Sequence, residues 1–195
     1  MIIVLTAVGL LSGGFLATVG LLTKERIAAN KQRELEEAIV TVVPGTSVSD
    51  KIYEEKDLSV YRGKDKNNTI LGFAIHASGV GFQDKITLMI GTDPALSRIY
   101  RLAILDQKET PGLGAKIADR ESFLKFWENK DCTRPLSLRK PPVGSPEELG
   151  PSEVNTITGA TISSEAVLSA VNVSLERLRR IKTEGKLTID DEHVH

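Results

Sequence analysis

A single cysteine, Cys132, in 195 residues rules out an intrachain disulfide, a thiolate metal cluster, or an iron–sulfur centre held by this chain alone. An excess of charge of one sign is missing too. The 25 basic and 26 acidic residues give a formal net charge of -1, and both signs are spread along the chain, so it lacks the basic patch that nucleic-acid binding requires. Nucleic acid is therefore not an expected partner. His76, His193 and His195 have no companions at ligand spacing, so no metal site is expected. The nucleophile elbow Gly-x-Ser-x-Gly, the glycine-rich dinucleotide fingerprint and the P-loop lysine are all absent. No residue is therefore named as catalytic, and no diffusible nucleotide is expected. Internal repeats and low-complexity tracts are also wanting.

What is present begins with a long apolar run. Ile2 to Leu22 read IIVLTAVGLLSGGFLATVGLL without a charge, about 21 residues, enough to cross a hydrocarbon core of about 30 Å. A secretory leader would have basic residues before a shorter apolar run and a small-residue cleavage site after it; neither is found, so the run reads as an uncleaved anchor over residues 1–23. Gly9, Ser12, Gly13, Gly14, Ala17 and Gly20 lie mid-span. They would let another helix approach closely, although glycine is common in membrane helices anyway. Lys24, Arg26, Lys31 and Arg33 follow the span, and by the positive-inside rule they would keep the rest of the chain in the cytoplasm.

Beyond the span, Ile27, Leu35, Ala38, Ile39 and Val42 recur at near-helical spacing, which predicts an amphipathic stalk over residues 24–43, ended by Pro44-Gly45. The pattern then changes to β-rich runs at Val60 to Tyr61, Ile70 to Ala77, Ile86 to Ile90 and Ile99 to Leu105. They are separated by turn segments such as Asp65 to Asn68 and Asp93 to Ala95. Such short connections favour an antiparallel meander. Ser122 to Asn129 predicts a short helix with Phe123, Phe126 and Trp127 on one side, more apt for a core than for stacking on a ligand. Ser164 to Lys182 predicts an amphipathic helix with Val167, Val171, Leu175, Leu178 and Ile181 inward. The expected fold class is α+β: one N-terminal transmembrane helix, then a domain over residues 44–182 with an antiparallel or mixed sheet and flanking helices, and a flexible tail over 183–195.

The segment richest in chemistry is Asn155-Thr156-Ile157-Thr158-Gly159-Ala160-Thr161-Ile162-Ser163-Ser164, placed just before the second helix. Unpaired backbone N–H groups and the positive end of a helix dipole favour an anion there. Gly159 and Ala160 permit close approach, and the hydroxyls can donate further hydrogen bonds. An ordinary N-cap, with Thr161, Ser163 or Ser164 bonding the first-turn amides, accounts for the same residues, and local physics by itself prefers the cap.

Thr158-Gly159-Ala160-Thr161, followed by Ser163-Ser164, resembles the Ser/Thr-Gly-Ala-Thr flavinylation motif of the FMN-binding domain family. Upstream, Glu109-Thr110-Pro111-Gly112-Leu113-Gly114 resembles that family's Glu-Thr-Pro-Gly-Leu-Gly loop in full, in the same order along the chain. Gly81-Phe82-Gln83-Asp84-Lys85-Ile86 resembles a third family segment but carries Asp84 where glycine is usual, and Asp106-Gln107-Lys108 departs from the histidine often found just before the loop.

The resemblance implies FMN joined through its phosphate to the hydroxyl of Thr161, with Thr158, Gly159, Ala160, Ile162 and Ser163 around the phosphate and ribityl chain. Thr110, Gly112, Leu113 and Gly114 would lie against the flavin, and Lys116 is a candidate for positive charge near the ring. It further implies a flavin transferase that loads FMN from FAD, and an electron carrier that is not an enzyme alone. Partners would be other membrane subunits of a complex of the Rnf ferredoxin:NAD oxidoreductase type, the related sodium-translocating NADH:quinone reductase being usually longer in the matching subunit. The flavin domain would stand on the outer face of the cell membrane, against the flanking charges. Two other readings use the same residues: a covalent-FMN subunit of another respiratory or extracellular electron-transfer system, and a membrane-anchored binding domain without flavin.

Overall fold

The computed structural model describes residues 1–187; the tail from Thr188, with His193 and His195, lies outside the described residues. The chain divides into two units, residues 1–37 and residues 38 onward.

The first unit is helical from Ile2 onward and forms most of α1, Ile2–Val42, a single unbroken helix. Its apolar stretch has a mean hydropathy of 2.2 over 18 residues, long and apolar enough to cross a membrane. Hydroxyls inside it are satisfied locally: Thr6, Thr18 and Thr23 donate to the carbonyls of Ile2, Gly14 and Val19 at 3.0, 2.8 and 2.7 Å. In lipid a free hydroxyl would have no water to bond, so this back-bonding would let threonine sit in a membrane span.

The second unit opens with the end of α1, where Ala38, Ile39 and Val42 are buried, as is Val43 just beyond it. Pro44 cannot continue the helix and Gly45, at φ +89, turns the chain away. Six strands follow in an antiparallel sheet ordered as in sequence: β1 Val48–Glu55, β2 Leu58–Lys64, β3 Ile70–Val80, β4 Lys85–Thr92, β5 Arg98–Asp106 and β6 Lys130–Asp131. The expected meander is present, and short turns explain it. Asp65 Oδ1 accepts the amides of Asn67 and Thr69, both at 2.8 Å, between β2 and β3, while Asp93 accepts those of Ser97 and Arg98 between β4 and β5. A small parallel pair, β7 Ser137–Arg139 with β8 Glu153–Asn155, leads into α2, Thr161–Thr183.

Helix α2 lies across β3, its Val167, Val171, Leu175, Leu178 and Ile181 buried as the periodicity requires. Each such side chain contributes about 1.5–3 kcal/mol by leaving water. The approach is close: a Cβ on Gly79 of β3 would stand 2.8 Å from Ala170 Cβ. Two expectations need correction. The Ser122–Asn129 helix is only a 3-10 turn, Leu124–Trp127, because Asn129 turns at φ 59 and β6 starts immediately after it. Its aromatics are core, with Phe123 and Trp127 wholly buried, edge to face at 5.7 Å. Helix α2 starts one turn before the expected Ser164, which places Thr161, Ile162 and Ser163 inside its first turn.

Candidate functional site

The two strongest motifs meet. A cleft of about 340 Å³, within the usual range for small-molecule sites, is lined by Phe82, Glu109, Thr110, Leu113, Gly114, Gly159, Ala160, Thr161, Ile162 and Ser163. Its floor is the start of α2, and its opposite wall is the loop that follows β5. Both walls need glycine for the backbone. Gly112 sits at φ +77 and Gly159 at φ +80, the left-handed region that L side chains avoid. Leu113 closes the gap between them, its Cδ2 3.3 Å from where a Cβ on Gly159 would lie.

The start of α2 is not capped as an ordinary helix start would be. The residue preceding the helix is Ala160, and no side chain caps it. The hydroxyls that could do so are engaged elsewhere. Ser163 Oγ donates to Glu109 Oε2 at 2.6 Å; Ser164 Oγ donates to the Ala160 carbonyl at 2.9 Å and accepts the Ile157 amide at 3.2 Å. The first-turn amides of Thr161, Ile162 and Ser163 have no carbonyl within the helix to bond. No acidic residue stands in that turn, while Arg180 and Lys182 complement the dipole at the far end. Thr161 is half-exposed in the cleft.

Of the residues expected around an anion, Thr161, Gly159, Ala160, Ile162 and Ser163 all line this cleft, as do Thr110, Leu113 and Gly114 of the loop. Gly112 shapes the loop without lining it. Thr158 is exposed and lines a neighbouring open cleft of about 450 Å³ instead, together with Lys116, Phe126 and Asn155. Lys116 is thus on the other side of the Thr158–Thr161 turn. No lysine or arginine is among the residues lining the first cleft, so an anion there would be met by amides and the helix dipole.

Sequence reasoning placed three further contributors in motifs but gave them no role. Glu109 is buried and accepts the Gln83 amide at 3.1 Å as well as the Ser163 hydroxyl. Gln83 Nε2 donates to Thr110 Oγ1 at 2.7 Å. Phe82, exposed at the cleft's edge, completes the lining. A glutamate opening a glycine-rich loop, with a glycine turn earlier in the chain, was the available signal. The turn itself does not need the usual glycine at 84. Asp84 is absent from the residues with positive φ, its carbonyl accepts the Gly81 amide at 2.8 Å, and its side chain accepts from Lys108 at 2.8 Å and from the Lys85 amide. Lys108, then the Lys85 amide, hold that carboxyl below its ordinary pKa.

Other titratable groups stand apart from the cleft. Burial pushes the Cys132 thiol up to about 11, with no exposure to reagents, and it lowers the pKa of half-buried His76 in β3. Among the described residues no cluster of histidine, cysteine and acidic side chains could hold a metal.

A family model described as the FMN-binding domain matches residues 81–176, a segment that contains all three motifs. The chain is 26% identical over 182 residues to the G subunit of the proton-translocating ferredoxin:NAD(+) oxidoreductase complex of Clostridium ljungdahlii, covering 93% of this chain and 91% of that protein. It is 29% identical over 116 residues to the G subunit of the ion-translocating oxidoreductase complex of Methanosarcina acetivorans, covering 60% of this chain. The match spans only a little over half, 56%, of that relative's length. Among solved structures, Shewanella oneidensis NqrC superposes with a TM-score of 0.54 over 73% of this chain and 74% of its own, at 18% identity. At that identity the likeness is one of fold.

Proposed function

The chain belongs to the FMN-binding domain family through residues 81–176, and from that premise we propose that it is a membrane-anchored electron carrier with FMN esterified to Thr161, serving as the G subunit of an Rnf-type ferredoxin:NAD oxidoreductase complex. The observation that carries this reading is the position of Thr161: first residue of α2, half-exposed in a cleft, beside first-turn amides that no side chain caps and facing the Thr110–Gly114 loop. The residues fit the group. A phosphodiester suits the helix terminus, and an apolar rim of Phe82, Leu113 and Ile162 suits the body of a flat ring.

FMN supplies reversible electron transfer when bound. Everything else falls to the chain. In loading by a flavin transferase, the Thr161 hydroxyl oxygen would be the acceptor of the FMN phosphoryl group from FAD, with AMP as the leaving group and the hydroxyl proton taken up by the transferase. The first-turn amides would hold the phosphate oxygens, the left-handed Gly112 and Gly159 shape the two walls, and Leu113 would cover the group from the loop side. The covalent link keeps the cofactor from dissociating and confines it near its partners.

Relatives named as subunits of ion-translocating complexes and the apolar length of α1 support membership of a membrane assembly. With such partners the helix need not follow its own flanking charges, and we place the flavin domain on the outer face. The decisive test is a denaturing gel of protein coexpressed with a flavin transferase. The wild-type band fluoresces and Thr161→Ala does not; a dark wild-type band beside an active transferase would leave a binding domain without flavin. Orientation is read separately: a membrane-impermeant protease cleaves the domain on intact cells, and protection would return it to the cytoplasm.

A further inference from the structure

We propose that Glu109 is the positioning residue of this site, fastening the Thr110–Gly114 loop to the first turn of α2 and so setting where Thr161 stands relative to the opposite wall. The inference rests on the flavin reading for its functional meaning, but its structural content is independent of it.

Four observations converge on this side chain. It is buried, 5% exposed, where an acidic group persists only with partners. Both oxygens accept: Oε2 from Ser163 Oγ at 2.6 Å, in α2, and Oε1 from the Gln83 amide at 3.1 Å, in the β3–β4 turn. Three segments far apart in sequence are thereby tied to one carboxyl group. Gln83 adds a second tie to the same loop through Thr110 Oγ1 at 2.7 Å. Finally, the backbone leaves room for it at two glycines. A Cβ on Gly114 would lie 2.6 Å from both Glu109 Oε2 and Ser163 Oγ, and one on Gly81 would collide with Glu109 Oε1. The two glycines are therefore needed for the space around this carboxyl group, whereas Gly112 and Gly159 are needed for their backbone angles.

The bond to Glu109 also commits the only proton of the Ser163 hydroxyl. Ser163 then cannot donate to a phosphate at the helix terminus, which leaves that task to the amides and fixes the rotamer of Ser163 within the same helical turn as Thr161. Removing the tie frees the serine and unpins the loop together.

The test uses the full chain in detergent, with Glu109→Gln, Ser163→Ala and the double variant. In flavin-free protein, exchange of the hydrogen-bonded amides of Leu113 in the loop, bonded to the Thr110 carbonyl, and of Ser164 in α2, bonded to the Ala160 carbonyl, is expected to quicken about tenfold in each, in proportion to one lost hydrogen bond. Thermal unfolding should shift far less than for a core truncation. Loading by transferase and FAD should slow about tenfold in each single variant, and the double variant should be no slower than either, because both ends of one bond have been removed. Exchange that quickens in the loop alone, single effects that multiply, or loading at the wild-type rate would each overturn the proposal. Should Glu109→Gln fail to fold, Ser163→Ala, which breaks the same bond from its other end, decides by the same readouts. The exchange measurement needs no flavin, so it separates failure of this proposal from failure of the flavin reading.

Discussion

Replacing Gly159 by alanine perturbs the turn on which the site depends, and the cost divides into two parts. The residue sits at φ +80, where an L side chain brings its Cβ against the neighbouring carbonyl at a cost of about 1–2 kcal/mol. The new methyl also meets Leu113 Cδ2 at 3.3 Å. That is the flexible end of an exposed leucine, so it yields at little further cost. Gly112 provides the control. At φ +77 with nothing within 4 Å of a built Cβ, Gly112→Ala reports the backbone part alone. Both variants should lose about 1–2 kcal/mol, which lowers Tm by several degrees in a domain of about 150 residues. Gly159→Ala should be slightly worse, and Leu113→Ala should erase that difference. Urea unfolding of flavin-free protein, followed through the single, fully buried tryptophan, Trp127, measures each step. A Gly159→Ala chain within about 0.3 kcal/mol of wild type would refute the left-handed turn, and with it the geometry that brings Leu113 against Gly159.

Phe123→Ala removes a fully buried ring in edge-to-face contact with Trp127 and should cost about 3–5 kcal/mol in the same unfolding assay. Asp93 carries a pH dependence. Burial works to raise its pKa, but the Ser97 hydroxyl and the amides of Arg98 and Ser97 outweigh it and leave the folded value below the ordinary one. Its stabilisation is therefore present at pH above the unfolded-state value and is lost as pH falls through the folded one. Asp93→Asn should be less stable than wild type at neutral pH by about 1 kcal/mol, with a difference that closes in strong acid; a constant difference across the titration would contradict the assignment. Cys132, buried with its thiol raised to about 11, should react with a thiol reagent at pH 8 only as fast as the protein opens, and stoichiometric labelling of native protein would place it at the surface.

The fold was legible where burial is one-sided and illegible where it is not. Strands β2 to β5 and the inward face of α2 announce themselves because each buries a regular set of apolar side chains. Strand β1 does not: Val48–Glu55 reads VSDKIYEE, lies at the edge of the sheet and is largely exposed, so neither alternation nor apolar content marks it. Charged residues there suit an open edge, which an apolar strand would leave prone to pairing with another chain. The early start of α2 was hidden for a related reason. Thr161, Ile162 and Ser163 look like residues before a helix because hydroxyls usually cap, yet here two of the three serine and threonine hydroxyls nearby are committed to Glu109 and Ala160.

That commitment changes what the Thr158–Ser164 run can do. Taken as a string, its hydroxyls are interchangeable donors to one anion. In the folded chain they differ: Thr158 faces a neighbouring cleft, Ser163 serves the opposite wall, Ser164 secures the entry to the helix, and Thr161 stands half-exposed in the cleft itself. A modifying enzyme that needs a single nucleophilic hydroxyl beside uncapped amides would find that combination at Thr161. Selectivity for one threonine among several would thus follow from where the neighbours' protons are spent. Thr158→Ala should then leave loading at Thr161 intact, whereas Ser163→Ala should slow it through the loss of the Glu109 tie. Fluorescence of the denatured band, compared across the two variants at equal protein, separates a set of equivalent donors from this division of roles: equal losses would mean that the hydroxyls act together.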